Sequence, residues 1–317
     1  MHRPRTDWQV TKESAPLRGN ILELNGVAHI ALTPFNEDET IDFTGIENIV
    51  DEAVNVGCTA VVPLGIMGES HKLLDSERDE VLRAYVERAG DRLHVIAGIT
   101  SESTAVAVAR AESALRLGAT AAMMAPPRNF KPGPGLVEHY RAVARTGIPV
   151  VVQDEPVTTG VIMPGEFIGQ LAEIPGVFCA KVEEAPSPPK VSAILEHAPN
   201  LLCLGGLGGV AIYEELARGA VGIMTGFGFP GILVQICERY LAGDHAEARR
   251  IFHHYLPIIR FEAQLGVGGV AIRKQLFYER GLIATPLARR PARPVDARTV
   301  EELGELLDIL ELRNTND

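Results

Sequence analysis

The sequence predicts an α/β fold, a (β/α)8 TIM barrel followed by a C-terminal helical subdomain. Short apolar, β-branched runs alternate with longer segments of helical period from residue 26 onward. The alternation repeats eight times in about 220 residues, the count of a closed barrel. After Leu241 the strand-like runs stop and only helical patterns remain. An open doubly wound sheet is the other fold that such an alternation permits.

In chain order, GVAHIAL precedes a helix from Phe43 to Val56, CTAVVPL one from Asp75 to Ala89, LHVIAGI one from Ser103 to Leu117, and TAAMMA one from Gly135 to Arg145. IPVVVQ then leads into Pro164 to Ile174, GVFCAKV into Ser187 to His197, LLCLGG into Val210 to Arg218, and AVGIMTG into Pro230 to Leu241. Gly57, Gly118, Gly147, Gly176 and Gly219 stand at helix-to-strand turns, and Ser187-Pro188 reads as an N-cap followed by Pro in the first turn. His245 to Leu265, Gly269 to Arg280 and Asp296 to Leu312 read as the C-terminal helices, the last two joined by the Pro-rich TPLARRPARPVD. Residues 1–20 carry charge, Ser and Pro without apolar periodicity. The expected division is therefore a flexible tail at 1–20, a barrel at 21–242 and a helical subdomain at 243–317.

Composition narrows the function. The 317 residues are 46% hydrophobic and 22% charged, enough to bury a large core. A net charge of −11, from 30 Lys and Arg against 41 Asp and Glu, repels phosphate backbones and anionic membranes, so neither nucleic acid nor membrane is an expected partner. Cys58, Cys179, Cys203 and Cys237 lie apart inside apolar runs and read as buried thiols of a reducing compartment. With no apolar run of spanning length and a polar N-terminus, the expected location is the cytoplasm. GGLGG at 205–209 lacks the spacing and acidic partner of a dinucleotide loop and reads as a tight turn.

Barrel active sites are built at the C-terminal ends of the strands. Those positions hold Thr33-Pro34, Gly65 through His71, Gly98 to Thr100, Pro126 to Arg128, Gln153-Asp154-Glu155, Lys181, Gly205-Gly206 and Thr225-Gly226. Of the six lysines only Lys181 ends an apolar strand, with the parity of Val177 and Cys179. Burial there favours the neutral amine, which can attack a ketone to form a Schiff base. An ion pair with Glu183 or Glu69 is the structural alternative. The LGIMGES loop brings glycines beside backbone N–H groups that could receive a carboxylate. No His/Asp/Glu cluster recurs across strand ends, so no metal is expected.

Together and in order, ALTPF, LGIMGES, VIAGITSEST, KPGPG, EPVTTG and FCAK resemble the dihydrodipicolinate synthase / N-acetylneuraminate lyase family of pyruvate-type class I aldolases. The likeness runs from Gly26 into the C-terminal helices. It implies a barrel with a C-terminal helical subdomain, a homotetramer built as a dimer of dimers, and a 2-oxo acid as the small-molecule partner. It also implies a Schiff-base lysine at Lys181, a carboxylate-binding loop over Gly65, Ile66, Met67, Gly68, Glu69 and Ser70, and no cofactor beyond the covalent imine. The departures are specific. Ile66 and Met67 stand where the family has hydroxyl residues, and Gln153 where it has the proton-shuttling tyrosine. Arg128 and Asn129 replace paired tyrosines, Thr158 an arginine, and Leu207 and Gly208 the acidic residues of the sugar-acid lyases.

An amide cannot shuttle protons at neutral pH. His71, Glu155, Glu69, Asp154, a water or the substrate's own carboxylate are the candidate replacements, with Lys181, Gln153, His71 and Glu155 as the catalytic set. Thr158, Gly206 and Thr225 join the Gly65–Ser70 loop as expected substrate contacts. The expected function is a lyase acting on a 2-oxo acid by aldol cleavage or condensation, or by dehydration. The alternatives are a non-catalytic 2-oxo-acid-binding protein on this scaffold and the family's synthase reaction with an altered relay. Ile66, Met67, Leu207 and Gly208 predict a less polar mouth and a more apolar second substrate.

Overall fold

The computed structural model describes residues 24–263 and 269–313. The expected tail at 1–20, and the last two residues of the helix expected over His245 to Leu265, lie outside them. Strands β1 (Gly26–Ile30), β2 (Ala60–Val62), β3 (His94–Gly98), β4 (Ala121–Met124), β5 (Val150–Asp154), β6 (Val177–Val182), β7 (Leu202–Gly205) and β8 (Gly222–Thr225) pair in parallel in chain order. β8 returns to pair with β1, from Gly26 opposite Gly222 to His29 opposite Thr225. The sheet is therefore a closed barrel and not the open doubly wound alternative.

The outer helices are α1 (Phe43–Asn55), α2 (Asp75–Ala89), α3 (Thr104–Leu117), α4 (Pro134–Ala144), α5 (Pro156–Thr159), α6 (Gly165–Ala172), α7 (Ser187–His197), α8 (Ile212–Leu216) and α9 (Pro230–Leu241). Local chemistry sets their ends. The Asp42 carboxylate accepts from the Gly45 N–H at 2.8 Å to start α1, whose Ile46, Ile49, Val50 and Ala53 then bury one face at helical spacing. α5 has no counterpart in the sequence reading. It is a single turn nucleated by the Glu155 carboxylate, which accepts from the Thr158 N–H at 2.9 Å. α8 is shorter than the expected Val210 to Arg218, because the chain first makes a 3-10 turn over Leu207–Gly209 with Gly208 at φ 74°.

Strand residues divide between two cores. Ala28, Ile30, Ala60, Val62, Ile96, Ala121, Met123, Val151, Cys179, Leu204 and Met224 fill the barrel interior. Their neighbours Val27, Val61, Val95, Ala122, Val150, Val152, Ala180, Val182, Cys203 and Ile223 pack outward against the helices. Val177 belongs to the outer core, so the parity expected to link it to Cys179 and Lys181 does not hold. The β5–β6 register steps from Val150 opposite Val177 to Val151 opposite Cys179, and this bulge at Phe178 reverses the sidedness. Cys179 and Lys181 keep theirs.

α10 (His245–Ala263), α11 (Gly269–Glu279) and α12 (Ala297–Ile309) follow the barrel. This segment is tied to the loops at the C-terminal ends of the strands. Thr285 Oγ1 donates to the Phe35 carbonyl at 2.7 Å, Lys274 pairs with Glu69 at 2.6 Å, and Arg280 donates to the Gly228 carbonyl. The C-terminal helices thus form part of the wall around the barrel mouth. Among the described residues no helix is long and apolar enough to cross a membrane, and no group of three or more His, Cys, Asp or Glu side chains could hold a metal ion.

Candidate active site

A cavity of about 350 Å³ opens at this end of the barrel, with Lys181 and Gln153 in its wall. The register pairs Gln153 on β5 directly with Lys181 on β6, which sets their side chains next to each other on the inner face. Glu183 lies two residues past Lys181 and therefore on the same face. Its Oε2 is 2.7 Å from Lys181 Nζ and accepts from Gln153 Nε2 at 2.8 Å. One carboxylate oxygen thus bridges the lysine and the amide. Lys181 is 5% exposed, so the three groups form a nearly dry polar cluster.

Glycine makes room for Glu183. A Cβ on Gly206 would run into Glu183 Cγ, and a Cβ on Gly205 would strike the carboxylate of Glu215, buried behind it. Gly206 does not line the cavity and supports the carboxylate from behind. Glu215 accepts from Ser187 Oγ at 2.5 Å, and burial pushes its carboxyl up to about 7.

The LGIMGES loop splits in two. The N–H groups of Gly68 and Glu69 donate back to the carbonyls of Gly65 and Ile66 at 3.1 and 3.0 Å, closing the turn on itself. The N–H groups of Ile66 and Met67 have no partner among the described residues, and both residues line the cavity with Gly65. Two free amides beside an amine are a receptor for a carboxylate. Glu69 turns away: its backbone is left-handed at φ 50°, and its buried carboxylate pairs with Lys72 at 2.7 Å and Lys274 at 2.6 Å. Gly68, Glu69 and Ser70 are absent from the wall of the lysine cavity. Burial of Gly68 is tight, with the Leu64 nitrogen 3.1 Å from where a Cβ would stand.

Of the expected proton carriers, Glu155 lines the cavity but spends its carboxylate on capping α5. Burial raises its pKa. Asp154, fully buried and pushed up to about 7 by burial, faces Lys190 at 3.6 Å and is not in the wall. His71 is largely exposed and lines a second cavity, of about 750 Å³, with Ser70, Arg78, Arg110 and Arg128; Gly65, Ile66, Gln153 and Thr158 belong to the walls of both cavities, so the two adjoin. Partial burial and Lys72 lower its pKa. Thr158 and Thr225 line the lysine cavity as expected. Sequence reasoning missed Glu183 as a site residue, although strand parity marks it, and missed Arg260 and Arg273, which reach the cavity from α10 and α11. Both arginines lie far along the chain from the strand ends, where no motif signals them. They add two cationic side chains to a lining that is otherwise mostly apolar, with Ile66, Met67 and Leu207 in it as expected.

Residues 23–310 match the model of the dihydrodipicolinate synthetase family. The chain belongs to that family. It is 28% identical over 295 residues to a 4-hydroxy-tetrahydrodipicolinate synthase of Phocaeicola vulgatus, covering 92% of this chain and 98% of that one. It is 29% identical over 299 residues to an L-2-keto-3-deoxyarabonate dehydratase of Azospirillum brasilense, covering 91% and 96%. A crystal structure of dihydrodipicolinate synthase from Rhodopseudomonas palustris superposes with a TM-score of 0.85 at 31% identity, covering 90% of this chain and 97% of that chain. In this member of the family the Gln153 amide is hydrogen-bonded to the carboxylate that pairs with the lysine.

Proposed function

We propose that the protein is a lyase that dehydrates a 4-hydroxylated 2-oxo acid through an imine on Lys181, with Glu183 as its acid–base group. The observation that carries this is the single Glu183 oxygen held between Lys181 and Gln153. Glu183 takes a proton from the Lys181 ammonium, and the freed amine attacks C2 with loss of water to give the protonated imine. A base beside C3 then removes a proton to give the enamine, and the enamine expels the C4 hydroxyl once that oxygen is protonated. Hydrolysis of the imine consumes the water released at its formation, so the net change is the loss of one water. One carboxylate next to the imine nitrogen can take the C3 proton and return it to the leaving oxygen, while the Gln153 amide holds it in place.

The Gln153 amide cannot serve as the base that aldol cleavage needs at the C4 hydroxyl proton; Glu183 reaches that oxygen in either reaction, and the dehydration reading uses it there as the acid. The dehydratase among the relatives supports the same choice. The free Ile66 and Met67 amides take the substrate carboxylate in this reading. Assembly as a homotetramer rests on the resemblance alone and is checked by light scattering.

The test is borohydride trapping with pyruvate, mapped by peptide mass, followed by turnover of 4-hydroxy-2-oxo acids in D2O. An adduct on Lys181, loss of water from the 4-hydroxy acid, and exchange of C3 hydrogen for deuterium in pyruvate through reversal of the enamine are the expected results. Absence of any adduct at saturating pyruvate overturns the imine, and release of pyruvate plus an aldehyde overturns dehydration in favour of aldol cleavage.

A further inference from the structure

Arg273 lines the lysine cavity from α11 and is 6% exposed. Its Nε donates to Glu262 Oε2 at 3.2 Å, and its Nη1 donates to the Met67 thioether at 2.9 Å. Nη2 has no partner among the described residues. A guanidinium carries five N–H donors and cannot be deprotonated in a protein, while a thioether is a weak acceptor. Buried donors of this kind are ordinarily matched by oxygen. Here the Nη edge is not.

Glu262 does not leave Arg273 free to turn elsewhere. It is fully buried, and both its oxygens accept from the Gly228 N–H, at 3.2 and 3.1 Å, so it holds the Nε side of the guanidinium in one orientation. Burial pushes the Glu262 carboxyl up, against the pull of Arg273. The opposite side of Arg273 faces the loop after β7: Nη2 is 3.4 Å from where a Cβ on Gly208 would stand, and Leu207 and Gly208 both line the cavity. The absence of a side chain at Gly208 leaves that edge of the guanidinium open to the cavity.

We propose that Arg273 is a specificity residue whose open Nη2 edge receives an acceptor oxygen, carboxylate or hydroxyl, from the part of the substrate that extends past the imine along the Leu207–Gly208 side of the cavity. The inference rests on the imine reading for the near end of the substrate and concerns only the far end. It replaces an apolar second half of the substrate by an oxygenated one.

Three five-carbon 2-oxo acids of equal length test it: 2-oxopentanoate, 5-hydroxy-2-oxopentanoate and 2-oxoglutarate. Each forms the imine with loss of water, and borohydride delivers hydride to give a stable secondary amine read by intact mass. The readout is the ratio of half-saturating concentrations within one variant, so a general loss of binding cancels. In the wild type at least one oxygenated acid should be trapped at about tenfold lower concentration than 2-oxopentanoate, the scale of one hydrogen bond to a charged group. A preference for 2-oxoglutarate identifies a carboxylate at the far end, and one for the 5-hydroxy acid a hydroxyl. Arg273→Gln should bring the ratio near one, and Arg273→Lys, which keeps a cation beside Glu262, should leave an intermediate ratio. Equal trapping of all three acids by the wild type, or a preference that survives in Arg273→Gln, overturns the proposal. Should no acid be trapped at all, pyruvate included, the imine reading falls, and calorimetric binding of the same three acids to wild type and Arg273→Lys decides the Arg273 proposal by the same ratio.

Discussion

Glu183 shows what a two-residue step on a strand can do. Lys181 and Glu183 share a face because side chains alternate along β6, and Gln153 joins them because β5 runs in register beside it. The proposed function gives proton transfer at the imine to this carboxylate, while His71 lines the adjoining cavity, which shares Gly65, Ile66, Gln153 and Thr158 with the lysine cavity. Glu183→Gln keeps the shape and the bond to Lys181 but cannot carry a proton. It should lower kcat by about 10²–10⁴-fold. His71→Asn should cost at least tenfold less than Glu183→Gln when both are measured on the same 4-hydroxy-2-oxo acid. A larger loss in His71→Asn would return the relay to the histidine. The signal for Glu183 was present in the sequence as parity, but a carboxylate near a lysine reads equally well as a plain ion pair until Gln153 is seen on the same oxygen.

The loop after β2 and helix α11 act as one piece. Lys274 is fully buried on α11, pairs with Glu69 at 2.6 Å, donates to the Leu287 carbonyl at 2.9 Å and lies 4.1 Å over the Phe35 ring. Burial lowers its pKa to about 8, against the pull of Glu69. Through Glu69 the helix holds the same turn that presents the free Ile66 and Met67 amides. Lys274→Met leaves a buried carboxylate with Lys72 as its remaining cation, and should lower stability by roughly 2–4 kcal/mol. It should also raise the pyruvate concentration needed for half-maximal trapping. Chemical denaturation and the trapping assay check the two effects, and a variant as stable as wild type would show that the pair holds nothing in place. In the sequence Lys274 is one lysine on a helix; its burial depends on a contact between segments some 200 residues apart.

Across the whole molecule, Asp154, Glu215 and Glu262 are each pushed up to about 7 by burial. Each binds its proton more tightly folded than unfolded. Between the ordinary carboxylate range near 4 and about 7 the folded chain holds more protons, so these groups favour the folded state most at low pH and lose that effect as pH rises. Asp51 and Glu77, whose arginine partners hold their pKa values down, lose their contribution only below that window. Lys274 changes its contribution only above about 8. His29, held neutral by burial with its pKa lowered to about 3, acts the other way as pH falls below about 6.5, as do His71 and His139 with their lowered values. Against the three raised carboxylates they reduce the effect without reversing it, so Tm should be higher at pH 5.5 than at 7.5, by about 2 °C or more. Scanning calorimetry over that range checks the sign, and a Tm that climbs steadily to pH 7.5 would mean that these carboxylates are not buried with their charge uncompensated.

The barrel was legible in the chain because its signals are local. Eight apolar runs and the helical periods between them each report their own burial, and the ordered motifs from ALTPF to FCAK place Lys181 at a strand end without any knowledge of its neighbours. What surrounds that lysine was not legible. Glu183 met both Lys181 and Gln153 only once β5 and β6 were in register, Glu69 left the cavity because Lys72 and Lys274 drew it into the interior, and Arg273 entered from a helix about 90 residues beyond the strand. Periodicity records which side of its own element a residue occupies. Which charges meet there depends on closing the barrel and docking the C-terminal helices onto its mouth, because a buried ion pair is selected by distance in space and leaves no fixed spacing in the chain.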